Sequence, residues 1–317
     1  KLIASGNTQG IFQLESGGMT QFMKNLHPDC LEDIIAGISL YRPGPMDSIP
    51  KYIENINNTE NIQYIAKELE PILSVTYGCM VYQEQVMQIV RDLAGYSYGR
   101  SDLVRRAMSK KKAAVMAQER EYFVYGKLDE DGNVDVPGCE RKGISPEIAN
   151  EIFDQMTSFA EYAFNKSHAA AYAVIAYQTA YLKAYHPVEF LASLMSSGLD
   201  AKAVAGYIRN AKEMGIEVLP PDVSKSLKHF SVEDGKIRFG LLAVKNVGEA
   251  IINAIVQSRN EKPSQNIFEF IERLDVHCLN KKAVESLIRA GALDVFPGNR
   301  AQKLGVFEGL VESAQTS

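Results

Sequence analysis

Apolar residues recur along this chain mostly at helical spacing. Val86, Ile89, Val90 and Leu93 follow an i, i+3, i+4, i+7 rhythm after Tyr82-Gln83-Glu84 and stop before Gly95, which predicts an amphipathic helix with one buried face. Ser101 is placed to cap a second, short helix carrying Leu103, Val104, Arg105, Arg106 and Met108, and Lys110-Lys111-Lys112 make the polar side beyond it strongly cationic. Asn165 or Ser167 caps a longer helix that runs through Ala169-Ala170-Ala171, Tyr172, Ile175, Thr179 and Leu182 until Pro187 interrupts it, and its alanines allow a neighbour to pack closely. Further helices are predicted at Val188–Met195 and at Ala201–Met214, the latter followed by Gly215 in the left-handed position that commonly ends a helix. Beyond residue 220 the same periodicity predicts helices at Ala250–Gln257, Ile267–Leu274, Lys281–Ala290 and Arg300–Ser313.

Two segments depart from that rhythm. Phe230 to Phe239 alternates in polarity about Asp234-Gly235, the pattern of a two-stranded hairpin. The stretch from Asp129-Glu130-Asp131-Gly132-Asn133 to Pro137-Gly138 is polar and turn-rich, and predicts a surface hairpin or loop. Pro220-Pro221 breaks the pattern more sharply, and sets the expected regional boundary between residues 1–219 and residues 220–317. The fold class is mainly α with small β-hairpins, and 317 residues are enough for two regions with their own cores.

Composition adds exclusions. Hydrophobic residues make up 46% and charged residues 23%, and no apolar run approaches the roughly 18 residues of a membrane span. Cys30, Cys79, Cys139 and Cys278 are scattered without C-x-x-C spacing, which argues against zinc sites and a disulfide framework and fits a reducing cytoplasm. The first residue is Lys1, with no basic-then-apolar leader after it, so both ends read as cuts from something longer. The formal charge of -5 seems to oppose nucleic-acid binding, but the charge is blocked. From Arg91 to Lys127 nine basic residues face four acidic ones, and from Asp129 to Glu161 nine acidic residues face two basic ones.

Three constellations carry candidate chemistry. Arg105-Arg106 with Lys110, Lys111 and Lys112 fits a solvated helix face, and equally a surface that neutralises a triphosphate or a template backbone. Phe164-Asn165-Lys166-Ser167-His168 opens a helix with a lysine, an amide, a hydroxyl and an imidazole; capping explains Asn165 and Ser167, whereas an anion pocket also accounts for Lys166, His168 and the flanking Tyr162. Leu241 to Ile252 has the form of a helix-hairpin-helix element, in which a tight Val247-Gly248 turn opens a helix, its free N–H groups meet a phosphate and Lys245 adds charge. An ordinary helix-turn-helix joint would read the same way. A looser copy follows, from Lys281 through Gly291-Ala292-Leu293 to the helix after Asn299, and together they suggest backbone contact without base reading. Asp129 to Asp135 imitates a calcium loop but has glycine at the fourth rather than the sixth position, and no phosphate-loop, metalloprotease-helix or nucleophile-elbow motif occurs.

Gly10-Ile11-Phe12-Gln13-Leu14-Glu15-Ser16, Tyr41-Arg42-Pro43-Gly44-Pro45, Tyr82-Gln83-Glu84-Gln85, Arg105-Arg106-Ala107-Met108 and Phe164-Asn165-Lys166-Ser167-His168 closely resemble, in order and spacing, the bacterial DNA polymerase III alpha subunit family. The resemblance covers essentially the whole chain. It implies an internal portion of a C-family replicative DNA polymerase: a helical fingers domain followed by a tandem helix-hairpin-helix domain, with the palm and its metal-binding aspartates outside the chain. It therefore implies a DNA-directed DNA polymerase as the parent, a nucleotidyltransferase that uses Mg2+, and an isolated fragment that binds no metal, carries no catalytic residue and is inactive. By the same resemblance Arg105, Arg106, Tyr162, Asn165, Lys166 and His168 bind the incoming deoxynucleoside triphosphate, while Lys110, Lys111, Lys112, Lys245, Val247 and Gly248 contact the primer-template. Sliding clamp and other replisome subunits would bind regions outside this chain, in the cytoplasm and with no membrane contact. The sequence departs from the family's pattern at Tyr41, where Phe is frequent, at Asn246, where hairpins often carry Gly, and in the acidic segment 126–143. A non-enzymatic DNA-backbone-binding scaffold module is the alternative that the hairpin and the basic block alone would also support.

Overall fold

The computed structural model describes residues 1–110, 113–160, 162–197 and 200–316. Contacts divide the chain into two units, Lys1–Ala180 and Tyr181–Ser317.

The first unit opens with α1 (Gly17–Leu26), α2 (Leu31–Leu40) and α3 (Ile49–Asn57). Ser16 caps α1 by accepting from the Met19 amide, and Asp33 reaches back to the Asp29 and Cys30 amides to cap α2. Next come α4 (Gln83–Ala94), α5 (Tyr98–Ser109) and α6 (Ala113–Tyr125). The apolar stripe of α4 is buried as its spacing dictates, with Val86, Ile89, Val90 and Leu93 at 1% exposure or less, and Gly95 ends the helix at φ 76°. Truncating one of these side chains to Ala would cost about 2–5 kcal/mol if the cavity did not collapse. Ser101 does not cap α5: Ser97 does, accepting from the Arg100 amide, so the helix starts at Tyr98 and Ser101 is buried inside it, donating to the Tyr98 carbonyl.

The turn-rich acidic segment forms an antiparallel hairpin, β1 (Lys127–Leu128) with β2 (Val134–Val136). Asp129 accepts from the Asp131 and Asn133 amides to close the turn, and Asp135 pairs with both Lys127 and Arg100. After α7 (Pro146–Ala160), α8 runs Lys166–Tyr185 and presents Ala169, Ala173, Ala176 and Ala180 to a core that holds Ile11, Leu14 and Tyr82. Small side chains at i, i+4, i+7 and i+11 let that core approach the helix backbone.

In the second unit α9 (Pro187–Met195) starts on Pro187, and α10 (Ala201–Glu213) is capped by Asp200 and followed by Gly215 at φ 76°. The hairpin about Asp234-Gly235 forms as β4 (Ser231–Glu233) and β5 (Lys236–Arg238), with both turn residues at positive φ. A further strand, β3 (Val218–Leu219), pairs parallel with β5. That pairing ties residues just before Pro220-Pro221 to the hairpin after them. Leu191, Met195, Val204, Tyr207, Phe230 and Ile237 form a small core of their own. A larger core is built from α11 (Glu249–Glu261), α12 (Ile267–Glu272), α13 (Lys281–Ala290) and α14 (Arg300–Thr316), through Ile252, Ile255, Ile271, Val284, Leu287, Leu293 and Val311. Among the described residues no helix is long and apolar enough to cross a membrane.

Candidate nucleotide and nucleic-acid interface

The start of α4 is the hub of the first unit's cationic residues. Gln85 accepts from the Val81 and Tyr82 amides, fixing the turn into the helix. The Gln83 amide donates to the Phe164 carbonyl at 2.9 Å and the Phe164 amide to the Val81 carbonyl at 3.3 Å, so the strand entering α8 is laid along this turn. Gln83 uses its side chain in both directions: Nε2 donates to the Ala163 carbonyl at 3.1 Å, and Oε1 accepts from Arg105 Nη1 at 3.3 Å. One glutamine thus connects the arginine of α5 to the chain just ahead of Asn165.

Asn165 is the cap of α8. Its Oδ1 accepts from the His168 amide at 2.9 Å, and its Nδ2 donates to Glu84 Oε1 at 3.1 Å. Glu84 also accepts from the Lys166 amide, at 3.2 Å and 3.0 Å for its two oxygens, so a carboxylate sits on the helix N-terminus, where free amides and the dipole favour an anion. Lys166 Nζ lies 3.0 Å from Glu32 and 5.2 Å from the Tyr82 ring centroid. Tyr82 is fully buried and its hydroxyl has no hydrogen-bond partner among the described residues; burial first, then the charges of Glu32 and Glu84, raise its pKa. His168 is exposed, its ring 5.4 Å from Phe164 and 4.4 Å from Tyr172. Tyr162 is exposed on the edge that meets Gly44, where a Cβ would overlap its ring.

The arginines of α5 are not bare. Arg105 donates through Nε and Nη2 to one Asp102 oxygen at 3.0 Å and 2.7 Å, and Arg106 Nε lies 2.8 Å from the other. The hydrogen bond from Arg105 holds the Asp102 carboxyl below its ordinary pKa. Arg106 is mostly solvent-exposed and Lys110 is exposed at the end of the helix, whereas Lys111 and Lys112 lie outside the described residues. Asp102, Gln83, Glu84 and Glu32 were not singled out from sequence as partners of this site. Asp102 was readable, three and four positions before the two arginines on one helix face; Glu32 and Glu84 are brought in by tertiary packing.

In the second unit the hairpin reading holds at the turn. A short 3-10 turn at Leu241–Ala243 leads to Asn246 at φ 64°, the left-handed conformation for which Gly is otherwise used, and Asn246 Nδ2 donates to Ser286 Oγ at 3.1 Å. Val247 is buried as the anchor, Lys245 and Gly248 are exposed, and no side chain caps α11 at Gly248. Among the described residues Lys245 makes no ion pair. The second copy is present as α13, Gly291 at φ 85° and α14.

Among the described residues one trio could approach a metal ion, Asp29, Cys30 and Asp33. It does not fit magnesium. Asp33 already accepts from two amides and from the Tyr77 hydroxyl, and burial pushes the Cys30 thiol up, away from the thiolate that binds metal.

The first unit is helical, with cationic side chains gathered at the start of α4, and the second carries paired helix-hairpin-helix elements, the architecture of a finger domain followed by helix-hairpin-helix elements. Residues 1–131 match the bacterial DNA polymerase III alpha subunit finger domain, and residues 215–303 match a helix-hairpin-helix motif. The chain is similar to the DNA polymerase III alpha subunits of Thermus aquaticus (49% identical over 321 residues, 99% of this chain and 25% of the relative) and Chlamydia pneumoniae (47% over 317 residues, 98% and 24%). It is also similar to that of Bacillus subtilis strain 168 (42% over 315 residues, 99% and 27%). The chain belongs to the bacterial DNA polymerase III alpha subunit family, and spans about a quarter of the length of these relatives.

Proposed function

We propose that this chain is the part of a DNA-directed DNA polymerase that grips the incoming deoxynucleoside triphosphate and the primer-template. In phosphoryl transfer the protein mainly positions reactants and neutralises charge, and a pair of metal ions ordinarily flanks the in-line attack of the primer hydroxyl on the α-phosphate. Magnesium would be held by residues outside this chain, and the isolated chain would add no nucleotides. The residues here would do the positioning: Arg105 and Arg106 beside the phosphates, and Tyr162, Asn165, Lys166 and His168 along the nucleotide. Lys110, Lys111 and Lys112, with Lys245, Val247 and Gly248, would meet the DNA backbone. The observation that carries the reading is Gln83, which joins the Arg105 fork to the chain ahead of Asn165 and so gathers two cationic elements at one place.

In this reading Asp102, Glu84 and Glu32 hold the cations and amides until a polyphosphate replaces them. Exposed ion pairs contribute about 0–1 kcal/mol each, so a substrate with several charges can exchange them at low cost. Four unpaired thiols suit a reducing cytoplasm. The non-enzymatic scaffold reading draws on the uncapped N-terminus of α11, and predicts duplex binding without nucleotide binding. The test is single-turnover incorporation by the full subunit, titrating deoxynucleoside triphosphate. Arg106→Ala and Asn165→Ala should each weaken nucleotide binding about tenfold or more, the loss of one charge-assisted contact. Unchanged kinetics in both variants would remove the pocket.

A further inference from the structure

We propose that Arg42 is a further phosphate-binding residue of this site, receiving the triphosphate of the incoming nucleotide. Its guanidinium carbon lies over the Phe164 ring, 4.3 Å from the centroid, beside the residue immediately before the Asn165 cap. A guanidinium held over an aromatic ring keeps its N–H edge free, and that edge is the one that matches phosphate oxygens in pairs. Arg42 differs in this from Arg105, Arg106 and Lys166. Arg105 and Arg106 are spent on Asp102, and Lys166 on Glu32, whereas Arg42 is exposed and makes no ion pair among the described residues. Unlike those three, it can meet an incoming phosphate without first giving up a carboxylate.

The loop that carries it is stiff. Pro43 and Pro45 flank Gly44 at φ 101°, the Met46 amide donates to the Arg42 carbonyl at 3.1 Å, and Gly44 lies against the Tyr162 ring too closely for a Cβ. The loop therefore places Arg42 beside Phe164, and Tyr162 beside the loop, before any ligand arrives, which lowers the ordering cost of binding. The contact with Phe164 is what gives the arginine of this loop a task.

The inference rests on the reading that nucleotide binds at the start of α8, and the experiment separates the two. In the full subunit, nucleotide dependence of single-nucleotide incorporation and primer-template affinity are measured for Arg42→Ala, Arg42→Lys and Arg106→Ala, with thermal melts as a check of folding. Arg42→Ala should weaken nucleotide binding about tenfold or more while leaving primer-template affinity unchanged. Arg42→Lys, which keeps the charge but loses the fork, should recover only part of the loss. If Arg106→Ala weakens nucleotide binding and Arg42→Ala does not, the role of Arg42 is wrong and the pocket stands. If neither does, the pocket falls and takes Arg42 with it. A loss confined to primer-template affinity would assign Arg42 to the DNA backbone and overturn the proposal.

Discussion

Gly44 shows how one missing atom shapes the site. At φ 101° it occupies a region that side chains rarely adopt, and the space where a Cβ would stand is filled by Tyr162. Gly44→Ala should therefore destabilise the first unit by about 1–3 kcal/mol, from backbone strain and from moving the ring. Chemical denaturation measures this, and a variant as stable as the parent would show that the loop and Tyr162 do not pack as described. The charged residues follow a different logic. Arg105, Arg106 and Lys166 each face a carboxylate, which neither the solvated-face nor the anion-binding reading of the sequence includes. Asp102 was legible because helical spacing puts it beside both arginines. Glu84 and Glu32 lie 82 and 134 positions from Lys166 and no local rule connects them. Long-range pairs of this kind arise only once the core has set the helices in place.

Among the elements, the β4–β5 hairpin depends on an ion pair more than its length suggests. Arg238 is almost fully buried, donating through Nε and Nη2 to the Glu233 carboxylate at 2.7 Å and 2.8 Å and through Nη1 to the Pro220 carbonyl at 2.8 Å. The hydrogen bonds from Arg238 pull the Glu233 carboxyl down to about 2. A carboxyl depressed below its unfolded value of roughly 4.3 adds stability that is complete above about pH 4.5 and is lost as pH falls toward 2. Glu233→Gln should cost about 2 kcal/mol at neutral pH, below the roughly 3–5 kcal/mol for breaking a fully buried pair because Glu233 is partly solvated. Its melting temperature should converge on that of the parent as the pH drops toward 2, and a gap independent of pH would argue against the ion pair. Elements of this size divide sharply in how readable they are. The helices and the Asp234-Gly235 turn were legible because periodicity and turn chemistry are local. The strand Val218–Leu219 was not, since two residues carry no period and their parallel partner lies beyond two prolines. The start of α5 was misplaced by one turn because Ser97 and Ser101 are both good caps and only burial decides between them.

At the scale of the whole molecule, a net charge of -5 means that any grip on DNA must come from local groups that present N–H donors and a few lysines to phosphate. The helix-hairpin-helix turn has that form, with an exposed Lys245, an uncapped α11 and an exposed Gly248 between them. Backbone amides carry no net charge and hold a phosphate without releasing the cations condensed on DNA, while each lysine that neutralises a phosphate releases them and steepens the salt dependence. Lys245→Ala in the full subunit should therefore reduce the magnitude of the slope of log affinity for duplex against log salt by about one. Gly248 separates this role from a structural one. Its φ of -94° suits any residue and a Cβ there would meet nothing within 4 Å, so Gly248→Ala should change the melting temperature little, the weaker cap offset by a less flexible unfolded chain. If a phosphate comes down onto the amides of the first turn, the added methyl stands in its way, and duplex affinity should fall with no change in salt slope. A Gly248→Ala subunit that binds duplex as tightly as the parent would show that the turn is a joint between helices and that DNA is held elsewhere.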